Sequence, residues 1–194
     1  MTDLLLFAED LGHAAFVEPL LRRVGQECER EVQIRTRTAR GGRPFLISEL
    51  RQFVKEYPRL HQATADVLVV VTDANCHGSS KWRKQVEDIC EPLRRHTNVQ
   101  LAVLIPDPHI EKWMLVDGHA FAEVFGKGCS APPEQCERDF YKQMLITEMA
   151  KNGIDAQFGG MEWADAIVAA LDYSRVDESL LAGIRELRRV LSTD

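Results

Sequence analysis

Acidic side chains follow three separate apolar stretches of the sequence, and each stretch has the length of a β-strand. In chain order these acids are Glu9 with Asp10, then Asp73, then Asp107 with Glu111. Because the carboxyl ends of parallel strands meet at one edge of a sheet, we expect the carboxylates to converge on a common crevice. Converging carboxylates repel one another unless a cation lies between them, and their hard oxygens suit Mg²⁺ or Mn²⁺. The sequence therefore predicts a divalent-metal site.

Such a site is typical of enzymes that cleave phosphodiester bonds. The cation neutralises charge on the phosphoryl oxygens and lowers the pKa of an attacking water, while a nearby side chain accepts or donates a proton. The predicted metal ligands are Glu9, Asp73, Asn75 and Glu111, with Asp10 and Asp107 as second choices. The predicted catalytic residues are Glu9, Asp73, His109 and Glu111. Among these, Glu9 is also a candidate general base, and His109 is a candidate proton donor.

Structural roles and a zinc site compete with this interpretation. Acids such as Glu9 and Asp10 favour the first turn of a following helix, and Asp73 alone is compatible with an Asx turn. Cys76, His77 and His109 carry zinc-binding atoms, and His13 is a further imidazole near the crevice, but zinc sites have tighter ligand spacing. The occurrence of acids at three strand ends together favours the Mg²⁺ or Mn²⁺ site.

Basic residues cluster around the second predicted strand and the glycine-containing loop after it. Arg35 and Arg37 share one face of that strand, so their guanidinium groups can contact successive phosphates. We predict a nucleic-acid-binding surface that consists of Arg35, Arg37, Arg40, Arg43 and Lys81. The alternative is an ordinary solvated charged face. The sequence leaves DNA and RNA open as ligands, with DNA favoured.

Strand and helix patterns alternate over the first part of the chain. Strands are predicted at 3–8, 32–38, 66–72 and 99–105, and helices at 13–28, 45–59 and 79–96. This order predicts an α/β fold with a mainly parallel four-stranded sheet flanked by helices, because right-handed crossovers place helices on the sheet faces. Helical patterns follow at 120–125, 133–152, 161–171 and 178–191. We therefore expect an α/β core over residues 1–118 and a helical extension over 119–194 that packs on it.

Composition limits the class of protein. A length of 194 residues and a hydrophobic fraction of 45% suit one globular domain with an appendage. The formal net charge of −6 argues against a globally basic protein that coats nucleic acid. Five cysteines without a C-x-x-C pair predict reduced thiols rather than a disulfide framework. The amino-terminal apolar run is too short for a signal peptide or a membrane span, so we expect a cytoplasmic protein without a membrane partner.

These residues resemble the pattern of the Toprim superfamily, a compact α/β fold with a Glu after the first strand and an Asp-x-Asp after the third. Over roughly its first two-thirds the chain also resembles the RloB-like group of Toprim-related proteins. That likeness consists of Glu9 and Asp10 ahead of a helix, Asp73 at a strand end, and the element Ile110-Glu111-Lys112-Trp113. The resemblance implies nuclease activity in bacterial anti-phage defence and an ATPase partner of the ABC or SMC type. The second Asp of Asp-x-Asp is replaced by the neutral Asn75.

Two other functions fit parts of the pattern. A phosphoacceptor signalling module also places an acidic pair after its first strand and an Asp after its third, as Glu9, Asp10 and Asp73 do. Such a module needs a Lys after a fifth strand, and the sequence shows neither. A catalytically silent adaptor that binds an ATPase or nucleic acid is favoured by Asn75, because its side chain supplies no charge. A homo-oligomer is compatible with each of these functions.

Overall fold

The fold is built on one parallel sheet, seen in a computed structural model that describes residues 1–57, 65–137 and 139–192. The strands are β1 (Thr2–Ala8), β2 (Val32–Thr38), β3 (Val67–Val71) and β4 (Gln100–Leu104). They lie in the order β2-β1-β3-β4, and every neighbouring pair is parallel. The predicted α/β class and four-stranded parallel sheet are therefore confirmed, and each predicted strand is present to within one residue at either end.

Helices connect the strands and continue after the sheet is complete. The connecting helices are α1 (Leu11–Glu27), α2 (Arg43–Glu56) and α3 (Ser79–His96). The later helices are α4 (Ile110–Trp113), α5 (Gly118–Phe125), α6 (Phe140–Lys151), α7 (Ala164–Ala170) and α8 (Glu178–Leu191). The predicted end of α2, at residue 59, lies outside the described residues.

Two of the later predictions need correction. The helix predicted from residue 133 begins only at Phe140, because Tyr141 holds the preceding segment in an extended path. The Tyr141 hydroxyl donates to the carbonyl of Pro133 at 2.8 Å and accepts from the N–H of Gln135 at 3.0 Å. The helix predicted over 161–171 is divided into a 3₁₀ turn at Met161–Trp163 and helix α7.

Both faces of the sheet are covered. Every residue of β3 is buried, as expected for a continuous β-branched strand inside a parallel sheet. One face packs with α2 and α3, through side chains that include Leu5, Phe7 and Leu50. The other face packs with α1 and with the helices that follow β4, through side chains that include Leu4 and Leu6.

The helices after residue 118 pack directly on the α/β core. Helix α7 lies against α1, and α8 lies against both β4 and α1. The close approach of α8 uses Gly183, because a β-carbon at that position would lie 3.5 Å from both Leu104 and Trp113. None of the described helices is long and apolar enough to cross a membrane.

The prediction that all five cysteines are reduced thiols is wrong for one pair. Cys76, in the loop after β3, forms a disulfide with Cys136, in the segment before α6. Cys28, Cys90 and Cys129 are free. The bonded cysteines are 60 residues apart, so the pairing follows from the approach of two loops in the fold and has no signal in the local sequence.

Candidate functional site

Acidic residues from three strand ends converge at the carboxyl edge of the sheet. Glu9, after β1, accepts the backbone N–H of Asp73, after β3, at 3.2 Å. Asp73 in turn accepts from Nδ1 of His109, in the loop after β4, at 3.2 Å. Glu111 in α4 completes the group. Burial raises the pKa of the Glu111 carboxyl, and the nearby charges of Asp73 and Asp10 raise it further.

His13 connects the acids of β1 and β3. Its Nδ1 lies 2.8 Å from Oδ1 of Asp10, and its Nε2 lies 3.0 Å from Oδ1 of Asp73. Because ionised carboxylates only accept hydrogen bonds, both ring nitrogens must carry a proton, and the ring is an imidazolium. Burial by itself lowers the pKa of His13, but the charge of Asp73 and the hydrogen bonds to both carboxylates outweigh it. The pKa of His13 therefore lies well above its usual value.

Asp10 has a structural role in addition to its place in the cluster. It is the N-cap of α1, where Oδ1 accepts the backbone N–H of His13 at 3.0 Å. Burial raises the pKa of Asp10, but the hydrogen bonds and charge of His13 outweigh burial and lower it to about 2. The predicted capping role is therefore present together with the contact to His13.

Asp73 is held by two imidazoles. It is 8% exposed, with His13 on one carboxylate oxygen and His109 on the other. Burial raises the pKa of Asp73, but His13 and His109 outweigh burial and hold it below its usual range. The hydrogen bond to Asp73 raises the pKa of His109 in return. Since the His109 side chain is 15% exposed, this edge of the cluster reaches solvent.

Glu9 is directed toward the protein and does not line a cavity with the other acids. Its Oε2 also accepts from the Thr72 hydroxyl and lies 3.8 Å from Nε of Arg43. Arg43 donates to Thr72 at 3.0 Å and to the carbonyl of Asp73, and its guanidinium lies 3.9 Å above the ring of Trp82. Glu9 and Arg43 therefore hold the residues that follow β3.

Asn75 and Asp107 lie in the loops beside the cluster. Asn75 has a left-handed backbone with φ of 48°, and its N–H donates to the carbonyl of Pro108 at 3.0 Å. The carbonyl of Asp107 accepts from Nζ of Lys112 at 3.1 Å. Within the described ranges, no hydrogen bond or ion pair joins the side chain of Asn75 or Asp107 to the acidic residues.

The predicted basic surface is divided in the fold. Arg35 and Arg37 are exposed on one face of β2, and the Arg37 guanidinium lies 5.7 Å from the ring centroid of Phe7. Nζ of Lys81 lies 5.0 Å from the ring centroid of Trp82. Of the five predicted basic residues, Arg40 is the one that lines a cavity with the acids.

That cavity has a volume of about 510 Å³ and lies next to the cluster. Asp10 and Glu111 line it together with two cationic side chains, Arg40 and Lys142. Lys142 comes from α6, so the extension contributes to the site. A larger cavity of about 590 Å³ lies at the opposite edge of the sheet, near the first residues of the strands, away from the acids and imidazoles.

The donor atoms beside this cavity suit a hard cation, although they are not arranged around one. Asp10, Asp73 and Glu111 supply carboxylate oxygens, the ligands that Mg²⁺ and Mn²⁺ prefer. In the part of the chain that the structure describes, no three His, Cys, Asp or Glu side chains are grouped so that they could hold a metal ion. The His13 imidazolium bridges Asp10 and Asp73, so a metal ion would compete with it for those oxygens.

Two parts of the site were not assigned from the sequence. His13 follows Asp10 by three residues. This spacing places both residues on one face of the first helical turn, so the contact between them could have been predicted from the sequence. Lys142 has no such signal, because its approach to Glu111 depends on how the extension packs.

Comparison with known proteins does not supply a function. No protein-family model, curated protein or solved structure matches the chain. A function for this protein must therefore follow from its own side chains and their arrangement.

Proposed function

We propose that the protein is a metal-dependent hydrolase that cleaves phosphodiester bonds of nucleic acid. The supporting observation is that the acids of three strand ends meet beside a cavity that also carries Arg40 and Lys142. Carboxylates attract a divalent cation, and the two cationic side chains attract phosphate oxygens. Charges of both signs around one cavity are what a complex of metal and phosphate ester requires.

The ligand set of this proposal consists of Asp10, Asp73 and Glu111. To hold Mg²⁺ or Mn²⁺, these carboxylates would have to turn toward one another, and Asp73 would have to release one of its two imidazoles. Asp10 takes the place that the sequence gave to Glu9, because Arg43 and Thr72 engage Glu9. When bound, the cation neutralises charge on the phosphoryl oxygens and lowers the pKa of a water.

The other side chains orient the substrate and move a proton. His109 is the proton donor for the leaving oxygen, since Asp73 fixes its ring through Nδ1 and leaves Nε2 for that role. Arg40 and Lys142 bind the phosphate oxygens. His13 holds Asp10 and Asp73 at the distance that separates the two strand ends.

The proposal includes membership of the Toprim superfamily, in the RloB-like group, because Glu9, Asp73 and Glu111 lie at the carboxyl edge of a parallel sheet. An ATPase partner, a role in anti-phage defence and a cytoplasmic location belong to the same proposal. The feature that opposes a cytoplasmic location is the disulfide between Cys76 and Cys136, since disulfides are rare in reducing compartments.

Calorimetric titration with Mn²⁺ tests the metal site. The wild-type chain is expected to bind Mn²⁺, and Asp73→Asn and Glu111→Gln are each expected to weaken binding by about tenfold or more. Glu123→Gln, at an exposed position of α5, is the control. Glu9→Gln distinguishes the two ligand sets, because it weakens binding only if Glu9 is a ligand. No binding by the wild type, or equal binding by all variants, contradicts the proposal. Cleavage of labelled DNA and RNA strands in Mn²⁺ and in EDTA then tests the reaction.

Glu111→Gln is expected to weaken metal binding and, in the absence of metal, to raise the stability of the fold. Burial and the charge of Asp73 both oppose the ionised Glu111, so its neutral counterpart should raise the free energy of unfolding by about 1 kcal/mol in EDTA. Urea denaturation of wild type and variant measures this difference. A variant that is less stable than the wild type would show that the Glu111 carboxylate holds the fold together.

A catalytically silent adaptor is the second candidate. The observation that favours it is that both oxygens of Asp73 are already hydrogen bonded to imidazoles. The same contacts argue against a phosphoacceptor role for Asp73, whose carboxylate is buried. Lys112, the buried lysine of α4, does not serve such a role either, because it pairs with Glu134 at 2.7 Å and with Asp177 at 3.1 Å. Cleavage without any partner would exclude the adaptor.

A further inference from the structure

We propose that the 510 Å³ cavity binds one nucleotide of a single-stranded nucleic acid, with its unpaired base against Phe158. This inference rests on the proposed function and adds the class of strand that the site accepts. Five large apolar side chains are exposed in the described chain, and two of them line this cavity. These are Phe158, which is 78% exposed, and Leu11, which is 77% exposed. An aromatic face that is open to solvent beside phosphate-binding groups is typical of sites that stack a base.

The backbone that carries Phe158 is fixed although its ring is exposed. Both carboxylate oxygens of Glu162 are engaged, one by the N–H of Gln157 at 2.7 Å and the other by the N–H of Phe158 at 3.1 Å. Gly160, at φ of 90°, packs so closely on α6 that a β-carbon would lie 2.7 Å from the sulfur of Met149. Because the loop is already ordered, stacking on the ring costs little further conformational entropy.

The two cationic groups of the cavity are available for phosphate. Nothing within the described residues places a carboxylate at ion-pair distance from Arg40 or Lys142. The stem of Lys142 lies on the backbone of Gly159, where a β-carbon would be 3.0 Å from Cε. This contact places the stem of Lys142 beside the residue that follows Phe158, and both side chains line the cavity.

An exposed aromatic ring and two cationic side chains in one cavity favour a single strand over a duplex. A cavity of this volume lies in the range of roughly 300–1,000 Å³ that is usual for small ligands. A base pair inside a duplex has both faces covered by its neighbours in the stack, so it cannot place a face against Phe158. An unpaired base can, and since every base has an aromatic face, the site should accept all four. The ligand is therefore a strand end or an unpaired segment.

Fluorescence anisotropy with a short labelled strand tests this site, in EDTA and in Ca²⁺, with the matching duplex as competitor. The single strand is expected to bind more tightly than the duplex. Phe158→Ala and Phe158→Leu should each weaken binding by about tenfold, because leucine keeps the apolar area and lacks the aromatic face. Phe158→Tyr keeps that face and should bind as the wild type does.

A second pair of variants tests how the positive charge of Lys142 contributes to binding of the strand. Lys142→Ala should weaken binding and reduce the slope of log affinity against log salt by about 0.7, the value for one phosphate contact on a single strand. Lys127→Ala removes an exposed lysine of the same extension outside the cavity, and should leave both quantities unchanged.

The outcomes separate this inference from the proposed function. If Mn²⁺ binds and Phe158→Ala binds the strand as the wild type does, the base site is wrong and the hydrolase proposal stands. If binding of the single strand depends on Phe158 and the protein does not bind Mn²⁺, the base site stands and the hydrolase proposal fails. Duplex binding as tight as that of the single strand overturns the inference.

Discussion

His13 lies between two carboxylates that belong to different strand ends, and its contacts explain how these two acidic side chains lie close together. Asp10 and Asp73 each accept from one nitrogen of the ring. Hydrogen bonds between a charged donor and a charged acceptor are among the strongest in proteins, and the positive ring offsets the repulsion between the two acids. The imidazolium therefore supplies positive charge between Asp10 and Asp73.

His13→Gln is expected to destabilise the fold, because it leaves the buried Asp73 without its main counter-charge. The expected loss is about 3–5 kcal/mol in the free energy of unfolding, typical of removing one partner from a buried ion pair. Urea denaturation at neutral pH measures the loss. His119→Gln, at an exposed position, is the control and should change stability by less than about 0.5 kcal/mol. A His13→Gln variant as stable as the control would show that His13 carries no charge in the folded protein.

The strands and helices that carry the site residues could be predicted from the sequence with different success. A run such as Val67–Val71 predicts a buried parallel strand, because β-branched residues fill both of its faces. Once the ends of the strands are predicted, the position of the acidic residues at the edge of the sheet is predicted as well. The start of α6 did not follow, since helical periodicity continues through a segment that Tyr141 holds in an extended path.

The partners of the site residues could not be predicted in the same way. Glu9 pairs with Arg43, and His13 with Asp73, across 34 and 60 residues of sequence. Such pairs depend on which rotamers the packed elements allow, and no local pattern encodes them. The sequence therefore placed the acids correctly at the sheet edge, while the contacts of Glu9 with Arg43 and of His13 with Asp73 come from the fold.

The disulfide between the β3 loop and the segment before α6 predicts the thiol content. In the unfolded chain without reductant, the thiols of the three free cysteines should react, namely Cys28, Cys90 and Cys129. Titration with a thiol reagent in denaturant counts them. Cys136→Ser should lower the free energy of unfolding by about 2–4 kcal/mol, since the bridge closes a long loop. Cys28→Ser breaks no bridge and is the control. Five reactive thiols would show that Cys76 and Cys136 remain reduced.

The contact between α1 and α8 predicts a dependence on pH. Oε2 of Glu27 accepts from Arg188 at 2.8 Å. Burial raises the pKa of Glu27, but the hydrogen bond from Arg188 and the charges of Arg188 and Arg23 outweigh burial and lower it. A lowered pKa adds stability above the unfolded value of about 4.3, and this is lost as pH falls through the folded value. Glu27→Gln should therefore cost about 0.5–1 kcal/mol at neutral pH, and the difference in urea denaturation should shrink as the pH falls below about 4.3. A constant difference would contradict the pairing.

At the scale of the whole molecule, the extension is part of the core and part of the site. It covers part of one face of the sheet through α8, while α7 packs on α1. It also supplies Lys142 and Phe158 to the cavity whose acids come from β1 and α4. Strand ends therefore provide the acids, and the packing of the later helices determines which ligand can reach them.

A chain that ends at residue 118 is accordingly expected not to fold, although the sequence describes residues 1–118 as the α/β core and the rest as an extension packed on it. Truncation removes side chains that are almost fully buried against α1 and β4, namely Ile167, Val168, Leu180, Ile184 and Leu187. Each contributes about 1.5–3 kcal/mol by burial, so their joint loss approaches the 5–15 kcal/mol that stabilises a typical domain. Near-ultraviolet circular dichroism and dye binding would then show a chain without fixed packing. A fragment that unfolds cooperatively in urea would instead establish 1–118 as an independent domain, and the extension as a part added to a complete sheet.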